Sequence, residues 1–272
     1  LLAEADHYLD GRLHPSYHHT GTATGRLSCS NPNLQNIPAR SELGLRVKKC
    51  FVPGRGNVFV SADYSQIELR VLAHFCGGKL AEAYQEGRDV HQQTADLLNI
   101  PRHAAKTWNF ATVYGAGPKK IAKLTGVDVG GAMDIMKRFN RTYPEIEKLK
   151  AEIVASADGR GYVKTFLGRR RYIPELRGKH GTRWRGERLA GNTPIQGGAA
   201  DIVKMAMVQW NQENGDTAGM VCQVHDELLI ECPVDIAEDV ARVLKETMEG
   251  AYRLKVPLVA EPKIGNNWSE TK

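Results

Sequence analysis

The chain has 272 residues, a formal net charge of +6, 42% hydrophobic residues and 25% charged residues. That length supports one or two domains with a large core, and the balance excludes a disordered chain. No run of 18 or more apolar residues occurs, so no membrane-spanning helix and no membrane partner is expected.

The opening "LLAEADHYLDG" is acidic and polar, unlike a signal peptide. With no initiator Met, the chain is expected to be a piece of something longer. Residues 12 to 40 are rich in Ser, Thr, Asn, Gly and Pro, as in a long looping segment that carries function or lies along a partner. "CFVPGRGNVFVSAD" reads as strand, Pro-Gly turn, strand, and "SQIELRVLAHF" as a helix. "Ser65-Gln-Ile-Glu68" has the form of a capping box, which would account for Glu68 without any chemistry.

Residues 89 to 99 predict a helix. "PRHAAKTWNFATVYG" predicts another, with Pro101 near its start and Gly115 as its stop. The helical style continues through "PKKIAKLTG" and "GGAMDIMKRFNRTYPEIEKLKAEIVASADGRG". "YVKTFLGRRRYIP" predicts a short hairpin turning at Gly168, and the basic stretch after Pro174 reads as a loop. "ERLAGNTPIQGGAADIVKMAMVQWNQE" is helix-rich. "GMVCQVHDELLIECP" predicts a hairpin with strands over 220–224 and 228–232. "VDIAEDVARVLKETMEGAY" carries the core stripe Ile236, Val240, Val243, Leu244, Met248 and Ala251, and "VPLVAEPKIG" ends as a strand. Strands at both ends with helices between predict an α+β fold, one antiparallel sheet with a helical insertion.

From Arg160 to Arg188 ten basic residues face only Glu175 and Glu187, with Tyr162, Phe166, Tyr172 and Trp184 interleaved. Such a segment fits a polyanion partner or a solvated loop. The five cysteines form no CxxC pair, which points to reduced thiols and away from zinc. Asp63 ends an apolar strand, and Asp226 and Glu227 tip an apolar hairpin. If the chain's two ends share a sheet, these acids meet at one edge and need a cation, for which Mg²⁺ is suited. Taken singly, Asp63 reads as a helix-preceding acid and "HDE" as a polar hairpin turn. Arg102, Lys106, Phe110 and Tyr114 recur every four residues, two cations followed by two aromatics, as a surface for an anionic and a planar group. Asn192 and Gln196 could read minor-groove acceptors or cap a helix.

In this order the pieces resemble family A DNA polymerases, the bacterial DNA polymerase I type. "TGTATGRLSCSNPNLQNIP", "SADYSQIELRVLAHF", "RHAAKTWNFATVYG" and "QVHDELLIE" carry the resemblance, with "GRRRYIPEL" and "NTPIQGGAADIVKMAM" in support. It covers nearly the whole chain. It implies a palm sheet flanked by helices, with the palm at 1–75 and 190–272 and an inserted helical fingers subdomain at 76–189. The thumb and exonuclease domains of the family are expected to be absent. It further implies template-directed DNA synthesis, in which a primer 3′-OH attacks a dNTP.

The implied metal set is Asp63, Asp226 and the Tyr64 carbonyl around two Mg²⁺ ions, with Glu227 supporting. The implied nucleotide set is Gln66, Glu68, His91, Arg102, Lys106, Phe110 and Tyr114. Lys106 would protonate the leaving pyrophosphate, and Glu68 with Tyr114 would exclude a ribose 2′-OH. Arg26, Arg188, Asn192, Gln196 and His225 would follow primer–template DNA. A monomer in a bacterial or phage-infected cytoplasm is expected, or in an organelle, with a replication or repair role. The chain departs from the family pattern at His103, where a second Arg is common, and at Ala111, where Gly is usual. Two rival readings are an RNA polymerase-like nucleotidyltransferase, against which Glu68 argues, and a catalytically weak DNA-binding fragment.

Overall fold

The computed structural model describes residues 10–38 and 41–272 of the chain, so most of the acidic opening segment lies outside the described residues. Contacts divide the chain into two compact units. One comprises Leu1–Ser65, Ala200–Tyr252 and Leu258–Lys272, and the other Gln66–Ala199 and Arg253–Pro257.

The first unit begins with a small hairpin, β1 (Ser16–His18) and β2 (Ser28–Ser30), followed by α1 (Glu42–Lys49) and β3 (Asn57–Tyr64). The second unit follows, with α2 (Ile67–Cys76), α3 (Gly78–Gln85), α4 (Val90–Leu98), α5 (Arg102–Val113), α6 (Pro118–Thr125), α7 (Val129–Thr142) and α8 (Pro144–Arg160). A two-stranded hairpin, β4 (Tyr162–Lys164) and β5 (Arg170–Tyr172), turns at Gly168, whose φ of +88° suits glycine. The 35-residue α9 (His180–Asn214) gives its residues up to 199 to the second unit and the rest to the first. The first unit then closes with β6 (Gly219–Val224), β7 (Glu227–Pro233), α10 (Ala237–Gly250) and β8 (Ala260–Gly265).

The main sheet has the order β6-β7-β3-β8 and is antiparallel throughout. Strands from the two ends of the chain therefore share one sheet, as the α+β expectation required. β3 is the central strand and is covered on both faces, which is why "VFVSA" runs without the alternation of a half-exposed strand. On one face Phe59 packs with Cys29, Leu34, Cys222, Leu229 and Trp268. On the other, Tyr64 donates its hydroxyl to the Met248 carbonyl of α10 at 2.5 Å. Val60, Ala62, Leu228 and Ile230 are fully buried, and each large aliphatic among them contributes about 1.5–3 kcal/mol.

The second unit is a helical packing around Leu69, Leu72, Leu80, Val90, Phe139, Tyr143 and Ile146. The stretch over 130–161 divides at Tyr143–Pro144, since a proline has no N–H to give a helix interior and disfavours helical backbone before it. Beside it, β4 and β5 bury Val163 and Ile173 with Ala157, Leu176 and Ala190.

Three expectations are corrected. No strand forms over "CFVP": Phe51 donates to the Lys48 carbonyl at the end of α1, and its own carbonyl accepts Trp268 N–H, leaving it outside the sheet. The loop reading after Pro174 fails beyond a single 3₁₀ turn, because α9 starts at His180, ahead of the helix-rich block expected from Glu187, and carries Arg183 and Arg185. Asn192 and Gln196 consequently lie inside α9 and cap nothing. Among the described residues no helix is long and apolar enough to cross a membrane.

Candidate active site

The sheet register of the first unit brings the acids together. Asp63 on β3 stands directly across from Glu227 on β7. Asp226 occupies the adjoining hairpin tip, and its carbonyl accepts Tyr64 N–H at 3.2 Å. The tip is tight, with His225 at φ +58°, a left-handed conformation uncommon outside glycine. Asp63 is open at the strand end. Partial desolvation by the surrounding chain, then repulsion from Asp226 and Glu227, push its carboxyl up to about 7.

Glu227 differs from the other two acids. It is buried, and its Oε1 accepts Ser61 Oγ at 2.6 Å and Trp268 Nε1 at 3.1 Å. Its Oε2 accepts Lys272 Nζ. A second lysine, Lys48, lies buried over the Trp268 ring at 4.3 Å, its amine lowered by burial and then by Lys272. Glu227 is thus already neutralised by protein, unlike Asp63, which is exposed at the strand end beside Asp226.

Among the described residues no three His, Cys, Asp or Glu side chains form a ready-made metal cage. Two neighbouring carboxylates, Asp63 and Asp226, whose mutual repulsion a cation would relieve fit Mg²⁺, which takes one or two carboxylates and leaves positions for water and phosphate. Asp63, Asp226 and the Tyr64 carbonyl would hold it.

In the second unit Glu68 is buried on α2 and accepts the Tyr114 hydroxyl, at the C-terminal end of α5. The helix starts later than the capping-box reading placed it. The residue before α2 is Gln66 in a left-handed conformation (φ 56°), with no side-chain cap, and Glu68 turns to the phenol instead. Gln66 Oε1 accepts the Tyr84 hydroxyl at 2.9 Å.

The four-residue stripe forms one face of α5, with Arg102 exposed and Lys106 and Phe110 half-buried. Arg102 Nε is held at 2.8 Å by Asp89, which also caps α4 through the amides of His91 and Gln92. His91 lies buried, its ring 5.9 Å from that of Phe110. Asn109 Nδ2 donates to His91 Nδ1 at 2.9 Å, so Nε2 carries the proton and has no partner. Burial, aided by Lys106 and Arg102 and opposed by Asp89, takes this imidazole down to about 4. A neutral, pre-aimed N–H beside two cations is a donor set for phosphate oxygens.

The residues expected to follow DNA fall into two groups. Arg26 and His225, with Lys204, Gln223 and Met207, line a small cleft in the first unit. In the second unit Arg188 stacks on Trp184 at 4.8 Å, Asn192 donates to the Tyr114 carbonyl at 3.2 Å, and Gln196 is half-buried on α9. His103 is exposed at the start of α5, and Ala111 is buried within it. Sequence reasoning missed Asn109, Asp89, Ser61, Trp268 and Lys272. Ser61, Trp268 and Lys272 act only through a partner distant in sequence, whereas Asp89, as the cap of α4, and Asn109, one residue before Phe110 of the stripe, left usable signals.

Fold and side chains together define an α+β protein with an acidic sheet edge and a cationic–aromatic helix. The family model described as DNA polymerase family A matches residues 1–270. DNA polymerase I, thermostable, from Thermus aquaticus is 43% identical over 285 residues, covering 100% of this chain and 34% of that protein. DNA polymerase I from Deinococcus radiodurans is 46% identical over 274 residues, covering 96% of this chain and 29% of that protein. The POL domain of Pol1 from M. smegmatis, solved in complex with DNA primer-template and dNTP, superimposes with a TM-score of 0.93 at 35% identity, over 99% of this chain and 50% of that one. The chain belongs to DNA polymerase family A. It spans about a third of the length of these curated relatives.

Proposed function

We propose that this chain is the palm and fingers of a template-directed DNA polymerase, the first unit being palm and the second fingers. Its substrates are dNTPs and the 3′-OH of a primer paired to template DNA. The observation that carries the reading is the gathering of two carboxylates, Asp63 and Asp226, at one sheet end of a family A chain. Two Mg²⁺ ions held there would supply charge neutralisation of the transferring phosphoryl group and activation of the attacking oxygen.

The chain's own side chains do the rest. Arg102, Lys106 and His91 Nε2 hold the triphosphate, with Gln66 near, and Lys106 gives a proton to the departing pyrophosphate. Phe110 packs on the sugar, and Tyr114 borders the base. Glu68, held by Tyr114, fills the space of a ribose 2′-OH, which favours a DNA over an RNA polymerase. Glu227 supports the edge as a paired carboxylate. Arg26, Arg188, Asn192, Gln196 and His225 track the primer–template. The work belongs to replication or repair in a bacterial cytoplasm, with the chain acting as a monomer.

Primer extension in Mg²⁺ tests the reading. Asp63→Ala and Asp226→Ala are each expected to abolish extension while primer–template binding changes little. Normal extension by either variant would overturn it.

A further inference from the structure

A lysine inside the helical unit is used by nothing described so far. Lys150 lies on α8, its stem packed against α9 where a Cβ on Gly191 would meet it at 3.8 Å. Its Nζ donates to the Thr112 carbonyl, in the last turn of α5, at 2.6 Å. Burial takes its amine down to about 8, and the charge favouring it is Glu147 on its own helix. Burying an ammonium is costly unless something offsets it. Here the offset is the negative end of α5, whose final carbonyls lack intrahelical partners.

That helix end needs support. α5 ends at Val113 with Tyr114 as its C-cap, and Gly115 then turns the chain at φ +65°. The Thr112 carbonyl also accepts Gly115 N–H at 3.0 Å, and the Ala111 carbonyl accepts Ala116 N–H at 2.9 Å. Two side-chain donors from other helices complete the turn, Lys150 to Thr112 and Asn192 to Tyr114 itself. Tyr114 stands between them, and its hydroxyl is the group that holds Glu68.

We propose that Lys150 is a positioning residue for sugar discrimination: by bracing the last turn of α5 it fixes the Tyr114 phenol, and through it the Glu68 carboxylate. The inference rests on the reading above in which Glu68 excludes a 2′-OH. Without the ammonium, the Thr112 carbonyl loses a charged donor and the turn gains freedom. A small displacement at the backbone is carried to the far end of the phenol. The dNTP site loses little, because a deoxyribose does not press against Glu68. The site's rejection of a ribose weakens.

The test is the ratio of kcat/KM for an rNTP to that for its dNTP, on one primer–template. Lys150→Met is expected to raise the ratio about three- to tenfold, a fraction of one charge-assisted hydrogen bond, since the restraint reaches Glu68 only through Tyr114. Lys150→Arg, which keeps charge and donors, should stay close to the parent. Lys150→Gln should fall between and serves if the Met variant does not fold. Glu68→Ala is the control for the underlying reading, and Glu68→Ala with Lys150→Met should be no less selective than Glu68→Ala alone. An unchanged ratio in the Lys150 variants, with a raised one in Glu68→Ala, overturns the role of Lys150 only. An unchanged ratio in Glu68→Ala overturns the sugar gate and the inference together.

Discussion

Asn109 fixes the tautomer of His91: its Nδ2 donates to His91 Nδ1 at 2.9 Å, and the opposite ring nitrogen is left buried, protonated and unpartnered. A buried N–H without a partner is costly, and a ligand oxygen placed against it removes that cost. Asn109→Leu should therefore resemble His91→Ala, each lowering kcat/KM for dNTP by about tenfold or more, and the double variant should be little worse than either. Because His91 is harder to protonate folded than unfolded, it titrates near 4 and stays neutral at assay pH. Folding stability from this group rises with pH between that value and the ordinary histidine value of about 6.5. Imidazole NMR shifts followed from pH 3 to 8 check both statements.

Asp63 works the other way. Its carboxyl, raised to about 7, binds a proton in the folded chain more readily than in the unfolded one. Its charge thus costs stability as pH rises from about 4 through 7. Asp63→Asn is expected to stabilise the metal-free chain at pH 8 by about 1–2 kcal/mol, after allowance for solvent screening, and to change little at pH 4. Urea unfolding at the two pH values measures this, and equal effects at both would remove the repulsion argument.

Glu231 has the opposite sign again. It accepts both guanidinium nitrogens of Arg12 at 2.9 Å, Asn57 Nδ2 at 2.9 Å and Gly54 N–H at 2.8 Å. The Arg12 bond above all holds its carboxyl down at about 2. The stability this supplies is complete above the unfolded glutamate value and is lost as pH falls toward 2. Arg12→Met should cost about 1 kcal/mol at pH 7, since the guanidinium is half-exposed, and nearly nothing at pH 2. Denaturant midpoints across that range would show the two curves converging.

Lys272 and Glu227 form the remaining testable pair. Lys272→Met leaves a buried carboxylate with Ser61, Trp268 and the nearby Lys48 ammonium but without its direct ion pair, a loss of about 1–3 kcal/mol. Glu227→Gln in the same chain should recover part of it. A double-mutant cycle in thermal or urea unfolding gives the coupling, and zero coupling would falsify the pairing.

The elements themselves were largely legible. The 3.6-residue stripes and the Gly and Pro stops announced α4, α5 and α10, and the polar tip "HDE" between two apolar runs announced β6 and β7. What failed was chemistry decided at long range. Ser65 and Glu68 satisfy the local rule for a cap, yet Glu68 is claimed by Tyr114, 46 residues away. "CFVP" has strand-like residues, but the backbone of Phe51 is claimed by α1 and Trp268. Arg183 and Arg185 looked loop-bound because glycine and charge mask helical periodicity, while in the fold Arg183 pairs with Asp158 of α8 at 3.1 Å and anchors the first turns of α9. The acids were found individually by type and placed together only by the sheet register.

The division of the chain between Ser65 and Gln66 falls inside the stretch that links Asp63 to Glu68. The two acids are five residues apart in sequence but are anchored to different scaffolds, one to the register of β3 and the other to the packing of α2 against Tyr114. Selection can therefore act on them separately. Substitutions around Glu68 can retune which sugar is accepted without disturbing the strand that presents Asp63. For anyone altering substrate choice, α2 and the end of α5 are the adjustable parts, and β3 should be left alone.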